Sequence, residues 1–258
     1  MITILPDCND IDAIESSIID SKIVGFKKVN LNIDEQTELM TKLLTDEEIN
    51  ANIEDLSNGH NILENVYNIV NEAFLMRASP TEFLDGNWHQ DNTDDLLPPS
   101  YISMCMTKHA CSGKGVGDTV FIDLEEAYLN CPDNIKSYLD GIDVRHISSN
   151  SNNGPEGIVR WAYRTHPITG NTSLYYSNDE IAPSGGMTIE FQNYMNWFKD
   201  YRRNEDNFMR WEWDVGDLVI WDNRNIVHSV SGGWKIGDRV FNKVNSKPEE
   251  PINGRRQG

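Results

Sequence analysis

The sequence predicts a mainly β protein with added helices, built as an antiparallel sandwich or jelly roll. From about residue 100 onward, short segments rich in β-branched and aromatic residues are each bounded by Gly, Asn, Asp or Pro. These segments do not alternate regularly with helices, which argues against a parallel doubly wound sheet. The chain contains no internal repeat, so one core is expected.

The first part of the chain is predicted to be mostly helical. Apolar residues from Ile62 to Phe74 recur at spacings of three and four, which marks one face of a helix. A short strand is expected over Ile23–Val29, and another helix is expected near Glu35–Leu44.

The elements after residue 100 are predicted from the same patterns. The expected strands are Tyr101–Thr107, Thr119–Ile122, Ile158–Tyr163, Ser173–Tyr176, Trp211–Trp213, Leu218–Trp221, Asn225–Val230 and Arg239–Val244. The expected helices are Leu124–Asn130, Asn134–Leu139 and Ile189–Asn204. The polar segment Ser148–Gly157 is a surface loop or a lid over a site. Residues 1–258 are interpreted as one domain, with a helical part at about 1–78, a core at about 79–245 and a polar tail at 246–258.

Composition limits the classes of function. The 258 residues include 22 basic and 41 acidic side chains, which gives a net charge of −19. This charge disfavours nucleic acid or an anionic membrane as the main partner. We therefore expect a small-molecule substrate and leave a homo-oligomer open. No apolar stretch approaches the ~18 residues of a membrane span, and the N-terminus lacks the pattern of a signal peptide. A cytoplasmic protein with four free thiols is expected.

Two histidines and one carboxylate are candidates for a metal site. Among six histidines, His89 has an acid, Asp91, two residues on, and on a strand both side chains face the same side. Such a pair also arises by chance. His228, on a late predicted strand, offers a third ligand. Two histidines and a carboxylate leave positions open on the metal, an arrangement typical of non-haem Fe(II) oxygenases.

Arg239 and Thr119 are candidates for binding an anion. Arg239 follows His228 by eleven residues, and Thr119 opens a predicted strand. A buried arginine needs an anion, its planar group suits a carboxylate, and a threonine hydroxyl adds a hydrogen bond. A small dicarboxylate co-substrate could then reach from Arg239 to the metal. Taken singly, each residue is more often a structural or surface residue of a strand.

Four ordered segments together resemble the taurine dioxygenase family of Fe(II)- and 2-oxoglutarate-dependent oxygenases, and the resemblance covers about Ile23–Val244. They are Asn87-Trp-His-Gln-Asp91 with Pro98-Pro99; Gly117-Asp-Thr-Val-Phe-Ile-Asp123 with Glu126-Ala-Tyr128; Arg164-Thr-His-Pro-Ile-Thr-Gly170 with Ser173-Leu-Tyr175; and Gly216-Asp-Leu-Val-Ile-Trp-Asp-Asn-Arg224 with His228 and Arg239.

The resemblance implies a double-stranded β-helix, a cupin-like jelly roll. It implies that His89, Asp91 and His228 bind Fe(II), while Thr119 and Arg239 hold the far carboxylate of 2-oxoglutarate. The expected reaction couples oxidative decarboxylation of 2-oxoglutarate, giving succinate and CO2, to hydroxylation of a substrate by O2. The presence of Asp91 favours hydroxylation over halogenation. His166 and the segment Asp222–Arg224 are interpreted as structural.

The substrate is expected to be small and anionic. Lys243 lies four residues after Arg239, on the same face of a continuous strand, where the resembled taurine enzyme has an arginine that binds a sulfonate. Lysine keeps the charge but lacks the planar group, so a carboxylate or sulfonate is predicted. A solvated strand-end lysine is the alternative. Asp85 would permit an amine-bearing, amino-acid-like substrate, and Asn87 is a further candidate contact. Arg164, with Arg160, is another candidate for contacting an anion.

Other classes of protein remain open at this point. A jelly roll can be a non-catalytic binding or sensor protein, although its expected signature is the loss of a ligand or of the arginine. A carbohydrate-binding module gives no reason for the histidine, aspartate and arginine set. A zinc hydrolase leaves Thr119 and Arg239 without a shared role. A zinc site at Cys105, His109 and Cys111 lacks a second spaced pair of ligands.

Overall fold

A computed structural model of the chain describes residues 1–43, 88–93, 98–111, 113–146, 158–176, 181–234 and 238–245. The predicted helical face at 62–74, the predicted lid at 148–157 and the polar tail at 246–258 lie outside the described residues. The domain boundaries at about 78 and 245 stay predictions.

The described residues form thirteen strands and five α-helices. The strands are β1 (Thr3–Ile4), β2 (Ile23–Phe26), β3 (Tyr101–His109), β4 (Thr119–Asp123), β5 (Asp143–His146), β6 (Ile158–Trp161), β7 (Tyr163–Thr165), β8 (Thr172–Leu174), β9 (Ala182–Pro183), β10 (Met209–Trp211), β11 (Leu218–Asp222), β12 (Ile226–Val230) and β13 (Arg239–Asn245). The helices are α1 (Ile11–Ser21), α2 (Ile33–Lys42), α3 (Leu124–Asn130), α4 (Asp133–Leu139) and α5 (Ile189–Arg203).

Two sheets face each other across a shared apolar core. The larger sheet has the strand order β1-β2-β11-β3-β13, and its pairs are antiparallel except for β1 and β2. The second sheet is antiparallel, in the order β10-β4-β12. One buried cluster draws Ile102, Met104 and Val219 from the first sheet and Phe121 and Ile226 from the second. This mainly β architecture confirms the predicted fold class.

The two-residue period of the strands decides which side chains enter the space between the sheets. In β11, Leu218 and Ile220 pack under the N-terminal helices, whereas Val219 and Trp221 face inward. In β12, Val227 packs against the outer cluster that includes α5. The next residue, His228, therefore points between the sheets, with its ring centroid 5.0 Å from that of Trp221.

The N-terminal helices begin where the sequence supplies caps. The side chain of Asp10 accepts a hydrogen bond from the backbone N–H of Ala13 at the start of α1. Asn32 and Glu35 form a reciprocal capping box at the start of α2. Both helices cover the outer face of the larger sheet. The N-terminal part also contributes β2, which pairs directly with β11.

Three strand predictions differ from the structure in instructive ways. The single strand predicted over Ile158–Tyr163 is wrong, because the chain changes sheets at Ala162. Its N–H donates to the carbonyl of Ile142 and its carbonyl accepts from the N–H of Tyr175. The strand predicted at Trp211–Trp213 lies two residues earlier, at Met209–Trp211, where it pairs with β4. The strand predicted over Ile23–Val29 also ends early, at Phe26, whereas the other predicted elements among the described residues lie within about two residues of their predicted ends.

Within the described ranges, no helix has the length and apolar character needed to cross a membrane.

Candidate metal centre

His89 and His228 are held together by backbone pairing. The N–H of each residue donates to the carbonyl oxygen of the other at 2.9 Å, in an isolated antiparallel bridge between His89 and β12. Two residues that exchange both hydrogen bonds lie directly opposite each other. Their imidazole ring centroids are consequently 4.3 Å apart. The long-range pairing brings together two side chains that are 139 positions apart in the sequence.

Asp91 is fixed by the turn after β11. The Asp91 N–H donates to Oδ1 of Asn223 at 2.9 Å, and Nδ2 of Asn223 donates to the Asp91 carbonyl at 3.0 Å. Nε2 of Gln90 donates to the Asn223 carbonyl at 2.7 Å. Asp91 Oδ1 then lies 3.6 Å from His89 Nε2. The predicted structural role of the Asp222–Arg224 segment is thus supported, while the contribution of Gln90 was not predicted.

His89, Asp91 and His228 offer three ligand atoms that all lie within 4.8 Å of one another, and this is the one such group found among the described residues. Burial and the neighbouring His89 hold the pKa of His228 well below its ordinary value, so its imidazole is neutral. Burial raises the pKa of Asp91, but Lys243 and the two histidines lower it more, so Asp91 is a carboxylate. Neutral imidazoles and a carboxylate are the protonation states that bind metals, and this donor set fits iron(II).

Arg239 and Thr119 meet as the sequence predicts. Nη2 of Arg239 donates to Thr119 Oγ1 at 3.0 Å, and Nε1 of Trp213 donates to the same oxygen at 2.9 Å. A hydroxyl has two acceptor lone pairs and one proton. Since both lone pairs are used, the proton of Thr119 is left to donate to an anion beside Arg239. Trp213 was not predicted, because nothing in its local sequence separates it from a core tryptophan.

Gly117 allows the turn that brings β4 to Arg239. Its φ is +73°, a left-handed conformation that favours glycine. A Cβ at this position would lie 2.7 Å from Cys111 Sγ and 3.4 Å from Arg239 Cδ. The glycine of the Gly-Asp-Thr motif is therefore required by both the backbone and the close packing.

Lys243 lies on the same inward face of β13 as Arg239. The register of β13 shifts against β3 between Val240 and Phe241, and the extra residue lies on β3, so alternation along β13 is kept. The ammonium of Lys243 lies 2.6 Å from Asp91 Oδ2, and the two side chains are only 16% and 7% exposed. The predicted shared face is present, and the lysine contacts a candidate metal ligand.

His166 anchors the turn that the sequence predicts. Its Nε2 lies 2.9 Å from Asp222 Oδ2, and its Nδ1 accepts from the N–H groups of Ile168 and Thr169 at 3.3 and 3.2 Å. Asp222 also accepts from Arg224 Nε and Nη2, both at 2.8 Å. This buried network supports the turn that holds Asp91.

The remaining candidate residues divide into described and undescribed positions. Arg164 is buried with its guanidinium 5.3 Å from the ring of Tyr175, and Arg160 lies 5.6 Å from the same ring. Nε of Arg160 donates to the carbonyl of Thr93 at 3.2 Å, and Thr93 is two positions after Asp91 in the sequence. Asp85 and Asn87 lie outside the described residues.

The four cysteines are free thiols. Cys105 Sγ faces the carbonyl of Leu31 at 3.5 Å, within the N-terminal cluster. His109 and Cys111 instead lie near Gly117. The alternative zinc site is therefore not assembled by these residues.

A jelly roll with two histidines and one carboxylate beside a buried arginine defines the class of non-haem iron oxygenases. The chain belongs to the taurine catabolism dioxygenase TauD, TfdA family, whose sequence model matches residues 6–241. A Saccharomyces cerevisiae alpha-ketoglutarate-dependent sulfonate dioxygenase is 27% identical over 65% of this chain, and the match spans 43% of that protein's length. A Pseudomonas putida alpha-ketoglutarate-dependent sulfate ester dioxygenase is 21% identical over 95% of this chain and 83% of its own.

Solved structures show the same fold. A taurine dioxygenase from Burkholderia xenovorans has a TM-score of 0.71 at 18% identity, over 96% of this chain and 85% of its own. The structure of AAD-2 in complex with Mn(II) and N-oxalylglycine has a TM-score of 0.67 at 16% identity, over 95% of this chain and 90% of its own. The predicted family, its dioxygenase class, and iron with 2-oxoglutarate as its cofactors are confirmed at the level of the family.

Proposed function

We propose that the protein is an Fe(II)- and 2-oxoglutarate-dependent dioxygenase that hydroxylates an unactivated C–H bond of a small anionic or amino-acid-like substrate, releasing succinate and CO2. The observation that carries this proposal is the convergence of His89, Asp91 and His228 between the two sheets, with the Arg239–Thr119 pair in the same fold. A metal ligand set alone would fit other chemistry, whereas a buried guanidinium beside a threonine hydroxyl supplies the donors that a carboxylate of the co-substrate would accept from.

Each residue has a distinct task in this proposal. His89, Asp91 and His228 would hold Fe(II), which supplies the redox chemistry when bound. Arg239 and the free proton of Thr119 would bind the far carboxylate of 2-oxoglutarate. The turn network of Asp222 and its neighbours keeps Asp91 oriented. The apolar residues between the sheets, among them Trp221 and Phe121, pack against His228 and limit the access of water to it.

The proposed substrate class follows from charge at the site and from the names of the relatives. Those names refer to sulfonates, sulfate esters and 2,4-dichlorophenoxyacetate, all of which carry an anionic group. Lys243 points into the same space, and an ammonium has three N–H donors, so it can contact Asp91 and a substrate oxygen together. Arg164 is a further candidate for contacting the anion. Asp85 and Asn87 keep their predicted roles as substrate contacts.

Succinate release tests the proposed activity. The purified protein is mixed with Fe(II), 2-oxoglutarate and O2, and a panel of small sulfonates, sulfate esters, carboxylates and amino acids is added one at a time. We expect at least one anionic compound to raise the rate of succinate formation, and we expect His228→Ala to form none. A folded, iron-loaded protein that forms no succinate with any compound contradicts the proposal and favours a non-catalytic binding protein.

Removing the charge of Lys243 tests the substrate class. At saturating Fe(II), Lys243→Ala is expected to raise the KM for the anionic substrate about 10-fold to about 100-fold, because a hydrogen bond to a charged group contributes roughly 1.5–3 kcal/mol. Lys243→Arg should restore most of the affinity. Lys27→Ala is the matched control, since the Lys27 ammonium pairs with Asp217 Oδ2 at a distance of 2.7 Å and this ion pair lies outside the site. An unchanged KM in Lys243→Ala would show that the substrate anion binds elsewhere.

A further inference from the structure

Lys243 and Asp91 form an ion pair inside the candidate metal centre. The ammonium lies 2.6 Å from Asp91 Oδ2, while Oδ1 of the same carboxylate lies 3.6 Å from His89 Nε2. The two oxygens thus have different neighbours. One faces the histidine that would share the metal, and the other faces a fixed positive charge of the protein.

Separate contacts hold the carboxylate and the backbone of Asp91. The buried Oδ2 lies within hydrogen-bonding distance of the Lys243 ammonium, so the lysine supplies the carboxylate with a positive charge and a donor. The backbone of Asp91 is held by two hydrogen bonds with the side-chain amide of Asn223. Removal of the ammonium should consequently leave the Asp91 backbone in position while changing the charge of the site.

The charge balance of the site then depends on Lys243. The Asp91 carboxylate contributes −1 and the ammonium 2.6 Å away contributes +1, so this pair carries no net charge. A divalent cation that enters meets a neutral site instead of an anionic one, and it is repelled by the nearby ammonium. This repulsion is strong because both charges are shielded from water.

We propose that Lys243 is a built-in counter-cation of the metal site, which neutralises Asp91 in the metal-free protein and lowers the affinity of the site for a divalent cation. This inference rests on the metal site of the proposed function. An anionic group that binds Lys243 reduces the repulsion, so the anion and the metal raise each other's affinity by the same factor.

The test is calorimetric titration of metal-free protein with Mn(II), in the absence of 2-oxoglutarate and substrate. Lys243→Met is expected to bind Mn(II) at least about 10-fold more tightly than the unmodified protein, a change of ~1.4 kcal/mol. Lys243→Arg keeps the charge and should stay within about threefold, because the Coulomb repulsion persists. Lys27→Met removes a lysine from an ion pair of similar length outside the site and should leave the affinity unchanged.

The outcomes separate this inference from the proposed function. Suppose that Lys243→Met binds Mn(II) no more tightly than the unmodified protein, while His228→Ala no longer binds Mn(II). This result overturns the role of Lys243 and leaves the metal site intact. No Mn(II) binding by the unmodified protein overturns both. If Lys243→Met does not fold, Lys243→Gln removes the same charge with a polar side chain, and the same two results decide.

Discussion

Arg239→Gln is expected to weaken the binding of 2-oxoglutarate by about 30-fold to about 1,000-fold, the change that ~2–4 kcal/mol produces. The arginine is buried and donates to Thr119 at 3.0 Å. Its loss leaves the far carboxylate of the co-substrate buried without a counter-charge, and glutamine supplies one donor where the guanidinium supplies several. The Kd is measured by calorimetry on Mn(II)-loaded protein without O2.

Two further variants sharpen this measurement. Thr119→Val removes one hydroxyl at nearly constant volume and should cost about tenfold in Kd, since one hydrogen bond to a charged group is lost. Arg210→Gln is the matched control, because Arg210 pairs with Asp118 at 3.0 Å beside the same strand and has no proposed contact with the co-substrate. A Kd that is unchanged in Arg239→Gln, while Mn(II) still binds, contradicts the assignment of the carboxylate site.

Asp222→Asn is expected to reduce the free energy of unfolding by about 3–5 kcal/mol, because it removes one partner of a buried charge pair. Asp222 accepts from Arg224 and contacts His166, and all three side chains are buried. In a chain of this size the loss lowers the Tm by roughly 6–20 °C. Thermal unfolding followed by circular dichroism measures it. Asp214→Asn should change little, since Asp214 is 64% exposed and lies 3.8 Å from Lys28.

The loss of stability caused by Asp222→Asn depends on pH, and the pKa of Asp222 gives the sign of that dependence. Burial raises the pKa of Asp222, but Arg224 and His166 lower it more, so the folded protein holds this pKa below the ordinary 3.8. Stabilisation by the ionised form is therefore complete above about pH 4 to 5 and is lost as the pH falls toward the folded pKa. The difference in stability between the unmodified protein and Asp222→Asn should be full at pH 7 and should narrow below about pH 4. A difference in the free energy of unfolding that grows as the pH falls would contradict the stabilising role of Asp222, Arg224 and His166.

Much of the fold follows from local patterns. β3, β4, β11 and β12 are runs of β-branched and aromatic residues bounded by turn residues, so their positions follow from the sequence with errors of one or two residues. The break at Ala162 does not, because it depends on hydrogen bonds to two distant segments. Likewise, the strand predicted to run to Tyr176 ends at Leu174 as β8. The N–H of Tyr176 donates to the side chain of the distant Gln90 instead of to a neighbouring strand.

The site was predictable where a motif is short and ordered, and unpredictable where contacts cross the fold. The candidate metal ligands and Arg239 follow from spacing and from the family resemblance. The contact of Lys243 with Asp91 depends on the register of β13 and on the turn that positions Asp91, neither of which the sequence specifies. The hydrogen bond from Trp213 to Thr119 depends in the same way on β10 pairing with β4.

The central claim is that one site binds Fe(II) and 2-oxoglutarate together. The most direct measurement is the visible absorption spectrum of the metal-free protein mixed with both components in the absence of O2. We predict a weak charge-transfer band that requires both Fe(II) and 2-oxoglutarate and that is absent in His228→Ala. A folded, iron-loaded protein that gives no band when 2-oxoglutarate is added would contradict the account.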